Sequence, residues 1–169
     1  MVRSGPAGGS QTESCPVRPR ISVVGAGQAT PREIELAEEL GAALGRLGAI
    51  VITGGLGGVM AAASRGCLEA GGTTVGVLPG TDPEAANPWV EIPLATGMGE
   101  TRNALVVRMG EAVVAVGGEW GTLSEIALAK KMGKEVALLS DPPCDLRLPR
   151  MRDGREAAEW AMEVARRGG

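Results

Sequence analysis

Ile21-Ser22-Val23-Val24-Gly25-Ala26-Gly27-Gln28-Ala29-Thr30-Pro31-Arg32-Glu33 reads, in order, as a strand, a glycine turn and the start of a helix. Ile21–Val24 is a short β-rich run, and Gly25-Ala26-Gly27 ends it. Thr30 is placed as a helix N-cap, with Pro31 at the first helical position and Glu33 three residues on, so that each side chain of the pair can take a backbone N–H from the other. Ile34, Ala37, Leu40, Leu44 and Leu47 then recur at helical spacing, and Gly48 is placed to stop the helix. A strand that passes through glycines into a capped helix is the first half of a βαβ unit.

The same alternation continues outward from this stretch. Strands are expected at Ala49–Thr53, Thr73–Leu78, Ala112–Val116 and Glu135–Leu139, and helices from Met60 to Glu69, over Glu100–Met109, over Thr122–Met132 and around Arg155–Arg166. Residues 89–94 fit neither pattern. The prediction is an α/β fold, Rossmann-like and doubly wound, with a mainly parallel sheet and helices on both faces. Residues 1–20, rich in Gly, Ser, Pro and charge without periodicity, are expected to form a flexible leader, and 21–169 a single nucleotide- or phosphate-binding domain.

Composition narrows the function. Phe and Tyr are absent and only Trp89, Trp120 and Trp160 are aromatic, so aliphatic side chains must fill the core. A net charge of -3 and so few stacking side chains argue against a nucleic-acid partner. No apolar run is long enough to cross a bilayer and no signal peptide is present, so a cytoplasmic location is expected. Cys15, Cys67 and Cys144 show neither disulfide nor metal-ligand spacing, and reduced thiols are expected. The absence of histidine excludes a His-based triad and most catalytic zinc sites, so any acid or base is a carboxylate, Lys or Cys. No metal is expected, and no cofactor is required for the fold.

Three glycine clusters follow strands: Gly25-Ala26-Gly27, Gly54-Gly55-Leu56-Gly57-Gly58 and Gly117-Gly118-Glu119-Trp120-Gly121-Thr122. In an open parallel sheet such ends border the ligand crevice. Glycine admits close backbone approach, and free N–H groups at the following helix attract an anion. A phosphate-bearing small molecule is the expected partner. An ordinary dinucleotide site is disfavoured, because the first loop reads Gly-x-Gly-x-x-Thr and Thr53 stands where an acidic ribose contact belongs. No Gly-Lys-Ser/Thr of a P-loop follows any cluster.

Thr53-Gly54-Gly55 with Val59-Met60, the Gly-Val-Leu-Pro run at 76–79, Glu100-Thr101-Arg102-Asn103, and Gly118 with Gly121-Thr122-Leu123-Ser124-Glu125 together resemble the Lonely Guy superfamily. The likeness spans about Ile21 to Leu139 and is greatest to the branch of molybdenum cofactor carrier-like proteins. It implies a homodimer or higher homo-oligomer. Its enzymatic branch splits nucleoside 5′-monophosphates into free base and ribose 5-phosphate, with an Arg-Lys pair and a Pro-Gly-Gly-x-Gly-Thr-x-x-Glu motif. Arg102 matches that arginine and Glu125 that glutamate. Asn103 replaces the lysine, Gly117 stands at the proline and Glu119 at the second glycine.

The candidate ligand-binding residues are therefore Gly25, Gly27, Gly54, Gly55, Gly57, Gly58, Met60, Arg102, Asn103, Gly118, Gly121, Thr122 and Glu125, with Arg102 and Glu125 catalytic if the protein is an enzyme. A guanidinium at Arg102 can fork onto phosphate oxygens, and a carboxylate at Glu125 can stabilise a cationic sugar or deprotonate a water. Met60 and Met98 are candidates to line the pocket, with core filling the favoured role for Met60. Many relatives carry a lysine decarboxylase label, but Lys130, Lys131 and Lys134 lie near a helix end, where they suit the dipole and solvent. The implied functions are a carrier for molybdenum cofactor, a nucleoside monophosphate phosphoribohydrolase, or a nucleotide sensor that uses the same loops without turnover.

Overall fold

The computed structural model describes residues 17–168. Most of the predicted leader, with Cys15, lies outside the described residues. The fold begins slightly earlier than predicted. Strand β1 spans Arg20–Gly25, and Arg18 already donates hydrogen bonds to the Gly48 carbonyl and the Thr73 hydroxyl, both at 3.0 Å.

The remaining elements follow the expected alternation: α1 (Pro31–Arg46), β2 (Ile50–Thr53), α2 (Val59–Glu69), β3 (Thr73–Leu78), β4 (Ile92–Ala95), α3 (Asn103–Met109), β5 (Ala112–Val116), α4 (Trp120–Lys131), β6 (Glu135–Ser140) and α5 (Gly154–Arg167). All strand pairs are parallel, in the order β4-β3-β2-β1-β5-β6. The fold is the Rossmann-like α/β arrangement predicted, and its order reverses between β1 and β5.

Alternation along the strands sorts side chains between two faces. Ile21, Val23, Val51, Val114 and Val116 pack with α1, α2 and α5, while Val24, Ile52, Val113, Ala115 and Leu138 pack with Val106, Val107 and Ile126 of α3 and α4. Both layers are aliphatic, as the composition required.

Three local differences from the sequence reading have physical causes. Residues 89–94 resisted assignment because β4 is an edge strand whose residues are all exposed, so no burial period is imprinted on them. The helix expected over Glu100–Met109 is divided: Gly99–Arg102 forms a tighter 3-10 turn before α3 begins, and Gly99, at φ +56°, donates its N–H to the Pro79 carbonyl at 2.9 Å. Finally, α1 is buried on a broader face than the predicted stripe. Leu36, Gly41, Ala43 and Gly45 are buried along with Ala37, Leu40 and Leu44, whereas Leu47 is 42% exposed beyond the helix end. The helix needs that breadth because it packs against both α2 and α5 as well as the sheet.

Candidate functional site

A cleft of about 580 Å³ opens at the carboxyl ends of the central strands, where the strand order reverses. The first glycine loop forms one wall through Gly25, Ala26, Gly27 and Gln28, and the start of α4 forms the facing part through Glu119, Gly121, Thr122 and Glu125. Met60 of α2 and the Glu100-Arg102-Asn103 segment complete it, with Leu56 and Pro79. Met60 is half-buried in this wall and belongs to neither aliphatic cluster, so it lines the cleft rather than filling the core as favoured from the sequence, while Met98 is 45% exposed and takes no part.

The other predicted glycines lie off the lining. A Cβ at Gly54 would meet Met60 Sδ at 2.7 Å and Arg102 Nη2 at 2.8 Å, so this glycine makes room for both site side chains. Gly55, at φ +74°, is buried beneath Leu78, and its N–H donates to the Thr53 hydroxyl at 3.1 Å. Asn87 then pins this loop, its backbone N–H donating to the Gly55 carbonyl and its Nδ2 to the Leu56 carbonyl, both at 2.9 Å. Gly58 lies against the carbonyls of Ala26 and Gly27, so that the first two glycine loops touch, and Gly57 is exposed beside them. Gly118, at φ +102°, packs on the Thr122 side chain. Asn87 carries no motif and gave no signal; Gln28, Leu56, Pro79, Glu100 and Glu119 were not singled out as ligand contacts, although each lies in or beside one of the glycine clusters or motifs.

The three helix N-termini are not equivalent. Thr30 and Glu33 close the start of α1 with the predicted capping box, Glu33 accepting from Thr30 N at 2.8 Å and Thr30 Oγ1 from Glu33 N at 3.3 Å. At α2 the first N–H, of Val59, is taken by the Ala26 carbonyl at 2.9 Å. Among the described residues no side chain caps α4, whose first turn borders the cleft. Its unused N–H groups and positive dipole end therefore face the ligand space.

Arg102 and Glu125 are the buried charged residues of this wall, 8% and 7% exposed. Arg102 Nη2 donates to the Gly54 carbonyl at 3.4 Å, but among the described residues its Nε has no partner, and neither has the buried Oδ1 of Asn103. Burial pulls the Arg102 pKa down, opposed by the charges of Glu125 and Glu100. Burial pushes the Glu125 carboxyl up to about 7, against the pull of Arg102. Glu125 sits on the second turn of α4, because the helix starts at Trp120, ahead of the predicted Thr122. That depth takes it past the turn where a carboxylate simply complements the dipole.

No lysine lines the cleft. Lys130 and Lys131 occupy the last turn of α4, and Lys134 lies in the turn after it, donating to the Gly110 carbonyl. Cys67 is buried with its thiol pushed up to about 11, chiefly by desolvation, and is no nucleophile at neutral pH.

The sequence model of the SLOG cluster4 family matches residues 18–164. The chain belongs to this family. The Lonely Guy resemblance read from the motifs is thereby borne out. An uncharacterized protein of Archaeoglobus fulgidus is 41% identical to this SLOG cluster4 protein over 123 residues, 73% of this chain and 81% of that one. Among solved structures, the molybdenum cofactor binding protein from the phototrophic bacterium Rippkaea orientalis superposes with a TM-score of 0.82 at 34% identity, covering 88% of this chain and 98% of that one. The molybdenum cofactor carrier protein of Chlamydomonas reinhardtii gives 0.78 at 34% identity, with 88% and 98% covered. These likenesses support a small-molecule-binding role. Among the described residues, no helix is long and apolar enough to cross a membrane.

Proposed function

We propose that this protein binds and protects a small molecule in which a phosphate is joined to a heterocycle, with molybdenum cofactor, a pterin bearing a phosphate tail, as the foremost candidate. One observation carries the reading: a buried guanidinium with an unpartnered Nε stands in the wall of the same cleft as the uncapped start of α4. Both are poised for an anion: the guanidinium through its charge, the helix start through its free N–H groups. The two molybdenum cofactor proteins with this fold support the choice of cargo.

Thermal denaturation tests it. Phosphate-bearing ligands, AMP among them, should raise Tm well above the shift produced by their dephosphorylated counterparts. Equal shifts for AMP and adenosine would overturn the proposal. Arg102→Ala should weaken ligand retention by roughly 1.5–3 kcal/mol, the worth of a charge-assisted hydrogen bond.

A second reading, phosphoribohydrolase activity on nucleoside 5′-monophosphates, is favoured by one feature. Glu125, with a pKa of about 7, is poised to exchange protons at neutral pH beside an arginine matching that of the enzymes. Against it stand Asn103 in place of the lysine and Glu119 in place of the second glycine. Release of free adenine from AMP, lost by about 100-fold or more in Glu125→Gln with binding retained, would establish the hydrolase.

A further inference from the structure

Trp120 is the first residue of α4 and 84% exposed, in a chain that has only three tryptophans and no other aromatic side chain. The other two are occupied. Trp160 packs against the core cluster under α1, α2 and α5, and Trp89 lies beneath the Arg65 guanidinium, 5.6 Å from its ring centroid. Trp120 contributes to neither core cluster and stands just outside the cleft lining, between Glu119 and Gly121, which both line it. An exposed indole beside a site offers a flat apolar face on which a ligand ring can stack.

The charges around the cleft indicate what that is. Arg102 and the uncapped start of α4 attract one anion, but Glu100 and Glu119 are exposed carboxylates on the same lining, and they repel a second. Asn103 adds a buried acceptor, Oδ1, that has no donor among the described residues. The cleft therefore suits a ligand with one anionic group and a neutral body that carries N–H groups. A planar nitrogen heterocycle meets both conditions and offers a π-face to an indole.

We propose that Trp120 is the ring platform of this site, covering the heterocycle of a bound ligand whose phosphate is held at Arg102 and the start of α4, and so selecting ring-bearing phosphates over sugar phosphates. This rests on the phosphate-binding function proposed above and names the part of the ligand that the glycine loops leave unread.

The test titrates the full chain and its Trp120→Ala and Trp120→Phe variants with AMP, GMP, a pterin phosphate and ribose 5-phosphate, by calorimetry and tryptophan fluorescence. In the native protein at least one ring-bearing phosphate should bind more tightly than ribose 5-phosphate and quench the emission of the exposed tryptophan. Trp120→Ala should weaken that ring-bearing ligand about 10-fold, with Trp120→Phe largely restoring it and ribose 5-phosphate binding unchanged throughout. Ring-bearing ligands that bind the alanine variant as well as the native chain, or no better than ribose 5-phosphate, would overturn the platform while leaving the phosphate site standing. Failure of every phosphate to bind the native chain would overturn both. A fall in mass by light scattering in Trp120→Ala with ligand affinity unchanged would assign Trp120 to a contact between copies instead.

Discussion

Glu125 keeps its proton up to a pH of about 7 because the cleft wall desolvates its carboxylate more than Arg102 stabilises it. An ordinary carboxyl of this type, as in the unfolded chain, titrates at 4.5. The folded protein thus holds the proton more tightly, and the associated stability is full below about pH 4.5 and lost as pH rises through 7. At one proton the effect amounts to about 3 kcal/mol, an upper value for a wall that water can enter. Glu125→Gln, which keeps the shape without the charge, should melt at a higher temperature than the native chain at pH 8 and show little of its decline between pH 5 and pH 8. Parallel melting curves for the two proteins across that range would show that the carboxyl is not desolvated as the geometry requires. Glu125 and Arg102 were legible as a pair from their motifs. Their burial was not, since it comes from segments distant in the chain, including Gly54, which leaves the space that Arg102 occupies.

Glycine acts at the level of elements as a spacer between helices. A Cβ at Gly41 or Gly45 of α1 would drive into the carbonyls of Ala63 and Cys67, and one at Gly66 of α2 into that of Glu38, so α1 and α2 approach until backbone meets backbone. Gly41→Ala gains helix propensity but must push two buried helices apart, and it should destabilise the protein by about 1–3 kcal/mol in chemical denaturation. An unchanged midpoint would mean that the helices part freely. None of this was visible in the apolar stripe of α1, because the stripe identifies what is apolar and says nothing of how near a partner stands. The open start of α4 is a similar case. Its glycines were plain in the sequence, yet whether its N–H groups are free depends on the absence of a cap that α1 has and α4 lacks. Gly121, whose Cβ would meet nothing within 4 Å, is consequently the position where added charge tests anion binding without disturbing the fold.

For the whole molecule, the order β4-β3-β2-β1-β5-β6 does most to create the site, because it sets the first and third glycine loops on either side of the reversal. It also leaves β4 at an edge, where Ile92 and Leu94 are 44% and 39% exposed. Those exposed side chains are a candidate contact for the homo-oligomer that the resemblance implies. We expect at least a dimer by light scattering at micromolar concentration, and dissociation on Leu94→Lys, which places a charge on an edge strand. A monomeric mass for the native chain would refute the expectation.

The amino-acid sequence by itself determined the class of fold, the aliphatic core, the capped start of α1 and the identity of the charged pair, because each depends on neighbours a few residues apart or on composition. Tertiary structure alone decided which glycines border the cleft and which only make room behind it. It also decided that Arg102 and Glu125 are buried together and that Trp120 is left uncovered. These are matters of distance between segments far apart in the chain, and local periodicity carries no record of which atoms remain without a partner once the strands have been ordered.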